Sequence, residues 1–168
     1  MTNDSSASTD VDAVVVGAGF GGIYAVHKLR ELGFSVKLFE RGSDIGGTWY
    51  WNRYPGARCD APSMQYSYQF SEQLQQEWQW SETYSTQGEI LEYLDHVADR
   101  FSLRSAMQFN TSVESATYDD EQNIWTVTTD RGEVVRTRFC ILATGCLSTK
   151  NTPDFPGLCA PANIDTST

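Results

Sequence analysis

The chain has 168 residues, 40% of them hydrophobic and 12% aromatic, which suits one packed domain and is too little for two. Its formal net charge is −10 and its basic residues are scattered, which argues against a nucleic-acid or other polyanionic partner. No apolar run is long enough to span a membrane, and MTNDSSASTD has neither the basic start nor the apolar run of a secretory signal.

Residues 1–10 read as a disordered leader. Val11–Val16 is a short apolar run rich in β-branched residues, as a buried parallel strand requires. Glycines follow at once from Gly17 to Gly22. Ile23, Val26 and Leu29 then recur at helical spacing until Gly33, which is placed to end the helix. Phe34–Glu40 alternates apolar and polar residues and ends on an acid. These pieces make a β-α-β unit of about 30 residues.

Gly42 to about Trp80 is dense in Gly, Pro, Trp and Tyr and has no clean period. A long irregular segment inside a compact domain is usually functional, and its aromatic content argues against disorder. Thr86 and Glu89 have the spacing of a capping box, and the apolar positions that follow predict an amphipathic helix over Gln87–Phe101. From Gln108 the pattern becomes three strands, FNTSVESATYD, IWTVTTD and EVVRTRFCILATG, separated by turn-forming DEQN and DRGE. They predict a small antiparallel meander whose last strand re-enters the main sheet at Phe139–Ala143. The tail from Ser148, with Pro153, Pro156 and Pro161, reads as loop.

The four cysteines, Cys59, Cys140, Cys146 and Cys159, lack CxxC spacing and paired histidines, so no metal site is expected. They read as reduced thiols of a cytoplasmic protein. His27 and His96 fall on helical stretches and read as structural.

Gly17, Gly19 and Gly22 match G-x-G-x-x-G. The first glycine permits the tight turn, the second lets a pyrophosphate approach the backbone, and the third lets helix pack close to strand. The anion then rests on the helix N-terminus. Gly21 leaves that path still less obstructed. Glu40, at the end of the second strand, stands where a ribose-binding acid belongs, and its carboxylate disfavours a 2′-phosphate. The site therefore selects FAD or NAD over NADP.

The segment GGTWYWNRYPGARCD (Gly46–Asp60) resembles the flavin-proximal loop of the Baeyer–Villiger monooxygenases. The similarity continues through QYSYQFS, EWQWSETYSTQGEILEYLDHVADRF, FNTSVESATYD and FCILATG, from about Val11 to Leu158. It implies an α/β, Rossmann-like FAD-binding domain: a parallel sheet with helices, plus the small antiparallel meander. It also implies the family's reaction, in which NADPH reduces FAD and one oxygen atom of O2 is inserted beside a ketone carbonyl.

By that resemblance Gly17, Gly19, Gly21 and Gly22 would cradle the FAD pyrophosphate, and Glu40 the adenosine ribose. Thr48 and Trp49 would lie along the flavin side, and the backbone of Val113 would meet the adenine. Tyr66 matches a flavin-site tyrosine, although a packed aromatic explains it nearly as well. Asp60 is the catalytic candidate: the matching aspartate lies near flavin and nicotinamide and supports an arginine from another domain. As a buried carboxylate it would need such a cation. Arg58 and Cys59 share its loop and, with Asp60, would be cofactor-binding residues by the same resemblance. Trp51, Asn52, Arg53 and Tyr54 read equally as flavin wall or as packing residues. Ala143–Gly145 resembles the family's link between flavin and NADPH domains.

After Leu158 the family pattern stops, and residues 159–168, CAPANIDTST, form a tail unlike it. The expected second glycine motif for NADPH, the active-site arginine and the segment that completes the flavin domain do not follow. The domain is thus expected to be incomplete, with residues 11–158 as its amino-terminal part and no ketone oxygenation by the chain alone. The competing readings are a stand-alone FAD- or nucleotide-binding module, and a fragment of an amine- or sulfide-oxidising flavin monooxygenase. Oligomeric state and substrate are not readable from these residues.

Overall fold

The computed structural model describes residues 9–149 and Asp154. Most of the leader and almost all of the tail after Thr149, including Cys159 and the three tail prolines, lie outside the described residues.

Strand β1 (Val11–Val16) leads through the glycine turn into helix α1 (Phe20–Glu31), and strand β2 (Val36–Phe39) completes the crossover. Helix α1 ends at Leu32, whose N–H reaches back to Lys28 and Arg30, and Gly33 follows in the left-handed region at φ 85°. The segment expected to be irregular contains two short helices, α2 (Thr48–Trp51) and α3 (Glu72–Glu77). Ser71 caps α3 by accepting from the Leu74 N–H at 3.2 Å. No apolar periodicity marks these helices, because each is too short to show one.

Helix α4 (Gln87–Arg100) agrees with the expected span. Its capping box is only half made. Thr86 Oγ1 accepts from the Glu89 N–H, but the Glu89 carboxylate takes the Ser81 N–H at 2.6 Å and the Ser81 hydroxyl at 3.0 Å. The side chain that the motif would turn inward instead ties the helix start to the preceding loop.

A 3₁₀ turn at Leu103–Ala106 leads to the two-residue strand β3 (Met107–Gln108). Strands β4 (Val113–Asp119), β5 (Ile124–Thr129) and β6 (Val134–Leu142) form the meander. All six strands belong to one mixed sheet in the order β3-β2-β1-β6-β5-β4. The first expected strand, Phe109–Asp119, forms only from Val113, and a separate two-residue strand precedes it. Met107–Gln108 pairs parallel with Leu38–Phe39, whereas Val113 onward pairs antiparallel with β5. Strand β6 serves both halves: Val134–Thr137 runs antiparallel to β5 and Thr137–Leu142 runs parallel to β1.

The side-chain alternation of β1 separates two cores. Val15, with Leu38, faces α1 and α4 and packs with Ile23, Val26, Leu94 and Val97. Val14 and Phe39 face the other way and meet Val127 and Val135 of the meander. Among the described residues no helix is long and apolar enough to cross a membrane.

Candidate functional site

The carboxyl ends of β1, β2 and β6 converge on the glycine turn. A cleft of about 330 Å³ opens there, lined by Gly17, Gly19, Glu40, Arg41, Trp51 and Val113 among others. It adjoins a second cleft of about 200 Å³ lined by Gly21, Thr48, Trp49 and Tyr66. Gly19, Gly47, Ala143, Thr144 and Ser148 border both. Ligands of open α/β sheets gather at this position, where strands on either side of β1 connect in opposite directions.

The glycines are required by contact. Gly17 has φ 102°, and a Cβ on it would lie 2.6 Å from the Ala143 carbonyl oxygen. A Cβ on Gly22 would overlap the Gly17 carbonyl oxygen, which is the close helix-to-strand packing expected of the third glycine. Gly19 sits against the backbone of Gly47, and a Cβ on Gly47 would come 2.7 Å from Gly19 Cα. The Gly46 N–H also donates to the Ala18 carbonyl at 2.9 Å. Gly47 therefore belongs to the cradle, although the glycine motif does not include it. The only sequence signal for it is the paired glycine that opens the aromatic segment. Gly21 is exposed, in ordinary contact distance of Ala143.

Helix α1 starts at Phe20, and the N–H groups of its first turn have no intrahelical acceptor. Gly19 borders both clefts and Phe20 and Gly21 line the second, so the cradle fits the diphosphate of a dinucleotide.

Glu40 is buried, at 6% exposure. Its Oε2 accepts from the Ala18 N–H at 2.7 Å and its Oε1 from the Gly42 N–H at 2.6 Å. The carboxylate thus fixes the glycine turn as well as lining the cleft. Each oxygen can accept one further hydrogen bond, as a ribose diol would need. Val113 lines the same cleft beside a register shift between Val113 and Ser115 that interrupts the β4–β5 ladder. Thr111, the neighbouring Ser112 and Phe39 also line it, and no motif marks them.

On the other side, the Trp49 indole N–H donates to the Tyr66 hydroxyl at 3.1 Å. Burial is the main cause holding the Tyr66 phenol above its ordinary pKa; the Trp49 hydrogen bond opposes this, and the Cys59 and Asp60 charges add to it. The protonated hydroxyl keeps its own hydrogen available to donate. Phe20 packs edge-on against Tyr66 at 4.8 Å between centroids. Gln87 on α4 fixes the Trp49 carbonyl at 2.6 Å.

Three expected residues stand apart from both clefts. Arg58 pairs with Glu82 and donates to the Tyr84 carbonyl on the surface. Cys59 is buried against Trp49 and Ile90. Asp60 is exposed rather than buried, so in this chain solvent supplies what a cationic partner was expected to supply. His27 stacks on Phe70 and His96 lies beside Trp78, both structural settings. Among the described residues no group of His, Cys, Asp or Glu is arranged to hold a metal ion.

The fold and the glycine-lined junction define a nucleotide-binding α/β protein of the Rossmann type. The chain belongs to the pyridine nucleotide-disulphide oxidoreductase family, whose model matches residues 14–164. It is 47% identical over 157 residues to a Baeyer–Villiger monooxygenase of Pseudooceanicola batsensis, covering 93% of this chain and 29% of that protein. It is 46% identical over 150 residues to a phenazine N-monooxygenase of Lysobacter antibioticus, covering 89% and 28%. A solved steroid monooxygenase bound to NADP superimposes with a TM-score of 0.84 at 59% identity, covering 88% of this chain and 28% of that one. The resemblance carried by Gly46–Asp60 is borne out. The chain spans less than a third of the length of these relatives.

Proposed function

We propose that this chain is the FAD-binding segment of a flavin-dependent monooxygenase. In a protein of the relatives' length, that enzyme would use NADPH and O2 to convert ketones to esters or lactones. The observation that carries the reading is the pair of clefts meeting at Gly19 and Gly47. One offers Glu40 and Val113 to an adenosine, and the other offers Thr48, Trp49 and Tyr66 to a flavin. When bound, the flavin supplies hydride acceptance and oxygen activation. Gly17, Gly19, Gly21 and the first turn of α1 would hold its diphosphate, and Gly22 would let that turn close. Tyr66 would donate toward the ring system, and Trp49 would shield it from water. Arg58 and Cys59 would support the loop that carries Asp60. Asp60 would act in catalysis only after another part of the enzyme covers it.

Residues 11–158 would be the amino-terminal part of the flavin domain, and residues 159–168 would lie outside it. The free thiols Cys59, Cys140 and Cys146 suit a cytoplasmic setting. For the 168-residue chain alone we expect flavin binding without ketone oxygenation. Titration of FAD against the purified chain, followed by flavin fluorescence, tests the reading, with Gly17→Val as control. Saturable quenching that the variant abolishes supports it, and no saturation in either protein refutes it.

The phenazine N-monooxygenase relative favours a second reading, oxidation at nitrogen. Product analysis of a protein of the relatives' length, offered a cyclic ketone and an aromatic N-heterocycle with NADPH, separates the two.

A further inference from the structure

Arg41 is the one basic side chain among the described residues that line the first cleft. It follows Glu40 directly, yet it does not pair with that carboxylate. Its guanidinium lies 4.5 Å from the ring centroid of Trp51, at the end of α2. Its Nη2 donates to the Ser148 carbonyl at 2.8 Å, in the loop that leaves β6. A second tie lies beside the first: Asn52 Nδ2 donates to the Leu147 carbonyl at 3.0 Å and to the Thr48 carbonyl at 2.8 Å. The end of β2, the end of α2 and the loop after β6 are three of the segments that line the first cleft. One guanidinium joins them.

We propose that Arg41 and Trp51 form a clasp across the mouth of the cleft and set the residence time of the bound dinucleotide. Both side chains are exposed, Trp51 at 38%. The clasp therefore opens without unpacking either hydrophobic core. Ser148 borders both clefts, so a closed clasp restrains the loop lying over the junction where the diphosphate would rest. The two residues are positioning residues: they act on the ligand by holding the walls of its site together. The inference rests on the FAD reading.

Stopped-flow exchange of bound FAD against excess ADP tests it, using wild type, Arg41→Ala, Trp51→Ala, the double variant and Trp51→Phe. Losing one exposed cation–π contact and one hydrogen bond should speed release about tenfold. The two alanine variants and the double variant should release at similar rates, because either change opens the same clasp. Trp51→Phe should recover part of the residence time by keeping an aromatic face. Association rates should change little. If Arg41→Ala instead slows association in a salt-dependent way while Trp51→Ala matches wild type, Arg41 is a simple anion attractor and the clasp is refuted. Release at the wild-type rate in every variant also refutes it, and leaves the FAD reading intact. A wild-type chain that binds neither FAD nor ADP removes both.

Discussion

Glu40→Gln separates the two roles the structure gives this side chain. The wild-type carboxylate is buried and accepts two backbone N–H groups, from Ala18 at 2.7 Å and Gly42 at 2.6 Å. Glutamine keeps the length but has one oxygen, so its amide nitrogen must face one of those N–H donors. The variant loses one charge-assisted hydrogen bond and sets two donors against each other. A hydrogen bond to a charged group contributes about 1.5–3 kcal/mol, and about 2 kcal/mol is the expected loss. For a domain near 150 residues that lowers the melting temperature by about 4–8 °C. The assay is thermal unfolding by near-ultraviolet circular dichroism, paired with an ADP titration. Binding should weaken about tenfold further, since the ribose would lose an acceptor and the glycine turn would be displaced. A melting temperature within about 1 °C of wild type would refute the claim that Glu40 holds the turn. Unchanged ADP affinity beside a lowered melting temperature would confine Glu40 to a structural role.

Further outcomes are expected elsewhere. Gly22→Ala should destabilise by about 2–3 kcal/mol in urea unfolding, because its Cβ overlaps a backbone carbonyl; Gly21→Ala, whose Cβ would meet Ala143 at an ordinary 3.8 Å, should stay within about 0.5 kcal/mol of wild type. Thr86→Ala should cost about 0.5–1 kcal/mol in the same assay, the low end for an N-cap, since its hydrogen bond is long at 3.4 Å. Burial between Phe70 and Phe101 is the main cause lowering the His27 pKa from 6.5, so the unfolded chain takes up the proton more readily. Stability should therefore fall as pH drops through 6.5 toward the folded value and level off below it. Urea midpoints at pH 7.5 and 5.5 should differ less in His27→Gln than in wild type. Arg104 forks to Asp44, Asp95 and Asp99, anchoring the turn that carries Gly46. In Arg104→Met, hydrogen exchange at the Gly46 amide should quicken while the β1 amides stay protected.

Local chemistry made much of this protein legible. Val11–Val16, the glycines and Glu40 announce a β-α-β unit because period, turn residues and the closing acid all lie within about 30 residues. Helix α4 is equally plain, since one face must be apolar to pack. The two short helices between Gly42 and Trp80 are not, because four to six residues cannot display a helical period. The short strand Met107–Gln108, which pairs at the opposite edge of the sheet from Val113–Asp119, is also hidden. Nothing in Met107–Gln108 says that its partner is Leu38–Phe39, some 70 residues earlier.

The site divides in the same way. The sequence by itself determined which backbone positions must lack a side chain and which acid stands at the end of β2, because these follow from spacing and sterics. Only the tertiary structure decided that Gly47 crosses Gly19 and that Glu40 holds the glycine turn it was expected merely to face. It likewise joined Arg41 to Trp51 and to the loop after β6, and left Asp60 exposed. Such contacts unite residues far apart in the chain, and their geometry is fixed by how the sheet and helices pack rather than by any local pattern.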